Sequence, residues 1–286
     1  MIADGVAGAV ESVYGMSSAE PTSMDITLAT YLFAIQIYCD FSGYSDVARG
    51  TAKLLGFELI TNFNLPFFAS NPKENWDRWH ISLANWLRDY LYMPLITRGF
   101  RRGEWYIQSV VMVTVFLSGV WHGGAWNFVL WGLFQGLLMS GNRFWKMVWA
   151  KLSKGRIKKK VKRKRKLSQS PPLTPLRLLK IFLYFQINAY GRMLFRATSL
   201  TQVMSFTTII FLAFTFHTSV NFSIPIATVV GIILLFSLET YQYVTDDPHF
   251  YRKWPIPIRT GIYAVLFFLL MAGTSNATQT FIYFAF

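Results

Sequence analysis

Apolar residues along this chain gather into seven runs, at positions 26–39, 106–121, 125–141, 178–190, 203–216, 222–238 and 261–273. A helix needs roughly 20 residues to cross a hydrocarbon core of about 30 Å. Several runs reach only 13 or 14 residues, which predicts tilted, broken or protein-sheathed helices rather than a simple bundle of long ones. The stretch from 57 to 102 has a different pattern. There NPKENWDRWHISLANWLRDYLYMPL mixes charges with Trp76, Trp79, Trp86, Tyr90 and Tyr92, and it predicts an interfacial or half-buried pair of helices. Pro66, Pro72 and Pro94 break the helical period, and Asn71 with Pro72 offers a turn directly before a helix start. Taken singly, the tryptophans read equally well as an aromatic belt.

Composition places these runs in a membrane. The chain is 53% apolar and 17% aromatic with only 15% charged residues, where soluble domains carry about 25% charge. The net charge of +14 would suggest nucleic acid if it were spread out. It is local instead: 13 of the 28 basic residues fall in 143–166 without a single acid, and removing them leaves 15 basic against 14 acidic residues. No nucleic-acid partner is expected. Short basic loops stay on the cytoplasmic side, so residues 143–175 are predicted cytoplasmic, with 151–175 a disordered basic loop. That loop can also bind anionic headgroups, at about 1 kcal/mol per charge. Arg98, Arg101 and Arg102 put the preceding loop on the same side. Residues 104–142 then form an in-and-out hairpin with WHGGAW near its far end. Beyond residue 196 the topology stays open, because Arg252, Lys253 and Arg259 favour the same side while the segments between are short. The single cysteine, Cys39, excludes an intramolecular disulfide and a cysteine-held zinc, and no metal site is predicted. The start, MIADGVAGAVESVYG, lacks the basic and apolar regions of a signal peptide.

Candidate chemistry centres on FLSGVWHGGAWNFVLWG, residues 116–132, which sets His122 among glycines and tryptophans with no acid anywhere from 105 to 238. Imidazole titrates near neutrality and desolvation favours its neutral form, so His122 can act as a general base on a hydroxyl. Gly123 and Gly124 leave room for a substrate chain, and Trp121 and Trp126 can wall off solvent. The same residues also fit a histidine satisfied in a helix contact. His80, in ENWDRWHISL, reads as interfacial, and His217 and His249 as structural or solvated. In YCDFSGYSD, residues 38–46, Asp46 is expected to pair with Arg49 or Lys53, whereas Asp40 has the better claim to line a polar cavity. Arg88 and Asp89 are expected to lock the WLRDYLY segment through charge-assisted bonds.

Taken in order, YCDFSGYSD, RWHISLANWLRDYLYMPL and FLSGVWHGGAWNFVLWG resemble the membrane-bound O-acyltransferase (MBOAT) family, nearest its alginate O-acetylation branch. MIADGVA near the start, GRMLFRATSL at 191–200 and the final FIYFAF agree, so the resemblance covers nearly the whole chain. It implies an all-α, polytopic transmembrane fold with short, broken and interfacial helices around a central channel. It implies that residues 1–286 form a single membrane domain, multi-pass in a bacterial inner membrane. The implied activity is O-acetyl transfer to hydroxyls of an exported, alginate-like polysaccharide. His122 matches the family's catalytic histidine and His80 its second histidine. Asp40, Arg88 and Asp89 carry over as motif members, with Trp121, Gly123 and Trp126 supporting the channel. No tightly bound cofactor is implied; the donor would be acetyl-CoA or an acyl carrier, and periplasmic acetylation proteins and membrane lipid would be partners. Relatives with the same two histidines transfer D-alanyl groups to teichoic acid. The resemblance also implies several membrane helices ahead of MIADGVA, so the expectation is a chain that lacks the front of the fold and is inactive alone. Two other readings stand beside it: a transporter or channel subunit, which predicts internal repeats that the sequence does not display, and an inactive fragment that scaffolds acetylation partners.

Overall fold

The computed structural model describes residues 1–15, 21–99, 102–153 and 170–272. All regular structure among them is helical, and the chain falls into two compact units. The basic stretch 154–169 and the FIYFAF ending lie outside the described residues.

The first unit comprises Met1–Tyr44, Ser168–Leu173 and Thr201–Phe286. Helix α1 (Ile2–Tyr14) buries Val6, Val10, Val13 and Tyr14, the three- and four-residue spacing of a single face. Helix α2 (Ser23–Leu54) begins in this unit and contributes Ile26, Ala29, Phe33 and Ala34, all fully buried. Tyr14 Oη and Thr30 Oγ1 meet at 2.6 Å, which satisfies two hydroxyls inside that contact. The start of α2 is held by a carboxylate. Asp25 accepts from Thr22 N at 2.9 Å, Ser219 N at 3.1 Å, Ser219 Oγ at 2.7 Å and Val220 N at 3.2 Å, while fully buried itself. Asp25→Ala strands these donors. It is expected to lower the stability of the detergent-solubilised protein by about 2 to 3 kcal/mol, and a thermal unfolding curve would check this.

The apolar run at 26–39 predicts a short element, yet α2 continues for 32 residues through YCDFSGYSDVARGTAKL. Residues 40–54 contain no proline, and Gly43 and Gly50 weaken the helix without ending it, while Tyr44, Asp46, Thr51 and Lys53 are exposed. Apolar runs report burial, and helicity extends past them. Helix α10 (Ile226–Thr245) is the one helix among the described residues long and apolar enough to cross a membrane, with a mean hydropathy of 1.4 in its best window. Gly5 of α1 presses on Thr228 of α10, and Gly231 faces Ile2, so small residues bring these two helices together. Deep in α10, Glu239 accepts a short hydrogen bond from Tyr38 Oη. Helices α9 (Leu200–Leu212) and α11 (Ile256–Ala272) are apolar but shorter.

The second unit comprises Ser45–Leu167 and Thr174–Leu200. Its first part is a run of brief elements: a 3-10 turn at Pro66–Phe68, α3 (Pro72–Trp76), α4 (Ile81–Leu87), a π turn at Arg88–Tyr92 and α5 (Met93–Arg98). Their bounds follow local chemistry. Asn71 caps α3 by accepting from Glu74 N at 3.1 Å, and Pro66 and Pro72 each sit in a first turn, where a missing N–H costs nothing, whereas Pro94 directly follows the π turn within one continuous helical run. Three longer helices follow: α6 (Glu104–His122), α7 (Trp126–Ser153) and α8 (Pro175–Arg196). They have the length to cross a membrane, but Gln108, Asn127, Gln135, Asn188 and Arg192 interrupt their apolar sequence and are all buried within the unit.

Candidate active site at the tip of a helical hairpin

Helices α6 and α7 form the hairpin expected from the two apolar runs around Gly123 and Gly124. A Cβ added to Gly119 would stand 2.5 Å from Phe128 O, and one added to Gly132 would stand 2.7 Å from Phe116 O. The two backbones therefore touch near the tip of the hairpin. His122 is the last residue of α6, and the chain turns through Gly123, whose N–H donates back to Val120 O at 3.2 Å.

An aromatic cage surrounds the half-buried His122. Its imidazole lies 5.1 Å from the Phe195 ring and 5.4 Å from Trp131, both edge-on, and 6.5 Å from Phe128. Helix α8 delivers Phe195, and its position is fixed by Asn127 Nδ2 donating to Phe195 O at 3.1 Å. Further along, Gln135 donates to Asn188 and Asn188 donates to Asn75, each at 3.1 Å, which ties α7, α8 and α3 into one polar ladder.

Trp121 contacts both histidines. Its indole is 4.9 Å from His122 and 6.4 Å from His80, edge to face in both cases. His80 enters α4 with φ 47° and ψ 54°, the left-handed region that L-residues rarely occupy. Asn62 holds this turn: its Oδ1 accepts from Ser82 N at 3.1 Å and Ser82 Oγ at 2.6 Å, and its carbonyl accepts from Ile81 N at 3.0 Å. Ser82 Oγ in turn sits 3.4 Å from His80 Nδ1. Burial holds the His80 imidazole well below its usual range, at about 4, and the neighbouring His122 adds to that shift. His80 is therefore neutral in this turn at ordinary pH. Left-handed backbone at a histidine costs on the order of 1 kcal/mol or more, and such strain collects at functional sites. His80→Gly should therefore raise the thermal midpoint while lowering activity, and His80→Ala should lower activity without the gain in stability. Equal stability of the two variants would show that the turn carries no strain.

Next to His80, Trp79 stacks under the guanidinium of Arg192 at 5.3 Å, and Phe67 and Phe185 flank the same group at 5.6 and 6.0 Å. Arg192 is buried, and desolvation is eased by these ring faces. On the other side of α3, Arg177 Nη2 donates to Glu74 Oε2 at 3.1 Å, and Ser70 N donates to the same oxygen at 3.0 Å. Although burial raises the Glu74 carboxyl, the bonds from Ser70 and Arg177 outweigh it and leave the group below its usual range.

The structure brings His122, His80 and Trp121 together. Gly123 packs against Phe128, whose ring would stand 2.7 Å from an added Cβ, whereas Gly124 faces open space. Trp126 stands exposed at the start of α7. Arg88 and Asp89 form a two-pronged pair at 2.8 and 3.0 Å on the π turn, exposed to solvent. Asp46 pairs with Arg49 at 3.1 Å. Asp40 belongs to the first unit, half-buried on α2. Sequence reasoning missed Phe128, Trp131, Phe195, Asn62 and Arg192. Phe195 and Arg192 lie inside GRMLFRATSL, and that motif was the one signal that could have pointed to them.

Comparison with known proteins places this geometry. Residues 6–156, which carry both histidines, match the model of the membrane-bound O-acyltransferase family. The chain is 40% identical over 143 residues, half of its length, to a protein of Azotobacter vinelandii named probable alginate O-acetylase AlgI. It is 40% identical over 111 residues to the peptidoglycan O-acetyltransferase of Helicobacter pylori, and 29% identical over 160 residues to the teichoic acid D-alanyltransferase of Streptococcus thermophilus. These matches span 28%, 21% and 37% of the respective relatives, so the similarity covers well under half of each. With its family model matched over more than half of its residues, the chain belongs to the membrane-bound O-acyltransferase family.

Proposed function

We propose that the protein is a membrane O-acyltransferase that moves acetyl groups onto hydroxyls of an exported, alginate-like polysaccharide. The observation that carries this reading is the pair of imidazoles that both contact Trp121, with His122 caged by aromatic rings at the hairpin tip. In the reaction, a ring nitrogen of His122 takes the proton of a sugar hydroxyl as that oxygen attacks the acyl carbonyl. The new ester bond forms as the donor's thioester bond breaks, and the departing sulfur takes up the proton that His122 held. The cage orients the imidazole and excludes water that would otherwise hydrolyse the donor. His80, neutral and fixed by Ser82 and Asn62, orients the reacting groups from beside Trp121. Trp121, Gly123 and Trp126 border the route to His122, and Arg88 and Asp89 support the segment that follows His80.

The donor is acetyl-CoA or an acyl carrier arriving from the cytoplasm, and no tightly bound cofactor takes part. The helices cross a bacterial inner membrane several times as a single family domain, with residues 143–175 on the cytoplasmic side and the hairpin tip opening outward. Periplasmic acetylation proteins and membrane lipid are its partners. The test is the base-labile acetyl content of exported polysaccharide from cells with and without the protein, at equal polysaccharide yield. A rise in ester content with the protein supports acyl transfer. Unchanged ester content would move the assignment to transport or scaffolding.

A further inference from the structure

A cavity of about 600 Å³ lies in the second unit between α3, α4, the π turn and the flank of the α6–α7 hairpin. Its floor is apolar, built from Ile81, Ala84, Leu87, Val111, Val115 and Met139. Its rim is basic: Lys73, Arg88, Arg143 and Lys146 line it against one carboxylate, Asp77. Three of the four cations are already partly engaged, Lys73 with Asp77 at 2.6 Å, Arg88 with Asp89 at 2.8 Å and Arg143 with Glu104 at 2.9 Å. Two donors at the cavity are not engaged, because the buried Trp76 Nε1 and Arg143 Nε have no hydrogen-bond partner among the described residues. An orphaned buried donor costs about 1 to 3 kcal/mol, so both are suited to a ligand oxygen.

Neither His80 nor His122 lines this cavity. Along α6, Val115 stands seven residues before His122, roughly 10 Å at 1.5 Å per residue. The cavity therefore lies along the hairpin toward its Glu104–Arg143 end, more than a turn of α6 from His122, while its lining residue Ile81 directly follows His80 in the chain. That end adjoins the run of basic residues at 143–166, which favours the leaflet facing the cytoplasm, where anionic lipids concentrate. An apolar floor for acyl chains, a cationic rim for a phosphate and two spare N–H donors for ester or phosphate oxygens together describe one class of ligand.

We propose that this cavity is a binding site for an anionic glycerophospholipid, with its phosphate on Arg143, Lys146 and Lys73 and its acyl chains against α4 and α6. The seated lipid bridges the short elements that carry His80 to the hairpin that carries His122. It takes no part in the transfer step, so the site stands whether or not the protein transfers acyl groups.

The test uses the purified, delipidated chain exposed to mixed micelles of phosphatidylglycerol and phosphatidylcholine, with retained lipid counted by native mass spectrometry. One phosphatidylglycerol per chain, retained in preference to phosphatidylcholine, is expected. The double variant R143Q/K146Q should weaken retention roughly fivefold per lost cation, on the order of thirtyfold in all. Ala84→Phe fills the floor without changing charge and should also lose the lipid, so it decides the matter if the charge variant folds poorly. Equal retention of the two lipids, or retention unchanged in Ala84→Phe, would overturn the proposal. Acetyl-CoA displacing the lipid would instead make the cavity a donor mouth. Displacement by inorganic phosphate alone would make it a bare anion site.

Discussion

His122→Ala is expected to lower acetyl transfer by about 10² to 10⁴, the usual contribution of a positioned base. The effect should fall on turnover while the protein reaches the membrane at normal level. The physical argument rests on what surrounds the ring. His122 ends α6, is only half-buried, and touches the faces and edges of Trp121, Phe128, Trp131 and Phe195. Removing the imidazole trims one wall of an aromatic cage whose other members hold one another, Phe128 against Phe195 at 5.0 Å and Trp131 against Phe195 at 5.4 Å. The cage thus survives the loss, and His122→Gln, which fills much of the same space with a group that cannot titrate, should be as inactive as the alanine variant. Base-labile acetyl on the exported polysaccharide, set beside membrane protein level and thermal midpoint, separates the outcomes. Full activity in the glutamine variant would exclude proton transfer by His122.

What the sequence makes legible here is local. Asn71 and Pro72 mark the start of α3 because a capping side chain and a fixed φ act within one turn. The hairpin is legible because two apolar runs flank Gly123 and Gly124, and the Asp46–Arg49 pair because three residues separate its partners on one helix face. His122 and His80 stand out by residue type in an apolar setting. Their partners from distant parts of the chain do not. Phe195 reaches His122 across 73 positions, and Asn62 holds the His80 turn from 18 residues upstream, contacts that no periodicity encodes. The reach of α2 beyond residue 39 is hidden for a different reason. Apart from Phe41 and Ser45 its second half is exposed or half-buried, so the hydrophobic pattern that marks buried helix faces is weak there, although the backbone stays helical. The strained backbone at His80 is also hard to read from sequence, since glycine is the strong signal of a positive φ and histidine a weak one.

The close approach of α6 and α7 predicts a variant that loses stability and activity together. At Gly132 an added Cβ would lie 2.7 Å from Phe116 O and 3.2 Å from Gly119 Cα, and at Gly119 it would lie 2.8 Å from Gly132 Cα. These neighbours are backbone atoms, which cannot rotate aside as a side chain can, so the helices themselves must separate. Overpacking of this kind costs about 1 to 3 kcal/mol and sometimes more, and in lipid it also removes the dispersion contacts that hold helices together. Gly132→Leu is therefore expected to lower the thermal midpoint of the detergent-solubilised protein sharply. It should also reduce acetyl transfer, because Phe128 and Trp131 ride on the displaced turns of α7 and form part of the His122 cage. Gly141 supplies the control on the same helix: nothing lies within 4 Å of its added Cβ. There the only change is helix propensity, so Gly141→Ala should be neutral or stabilising by about 0.5 to 1 kcal/mol. If Gly132→Leu and Gly141→Ala shifted the midpoint alike, the hairpin would not depend on backbone contact, and the geometry at its tip would need another cause.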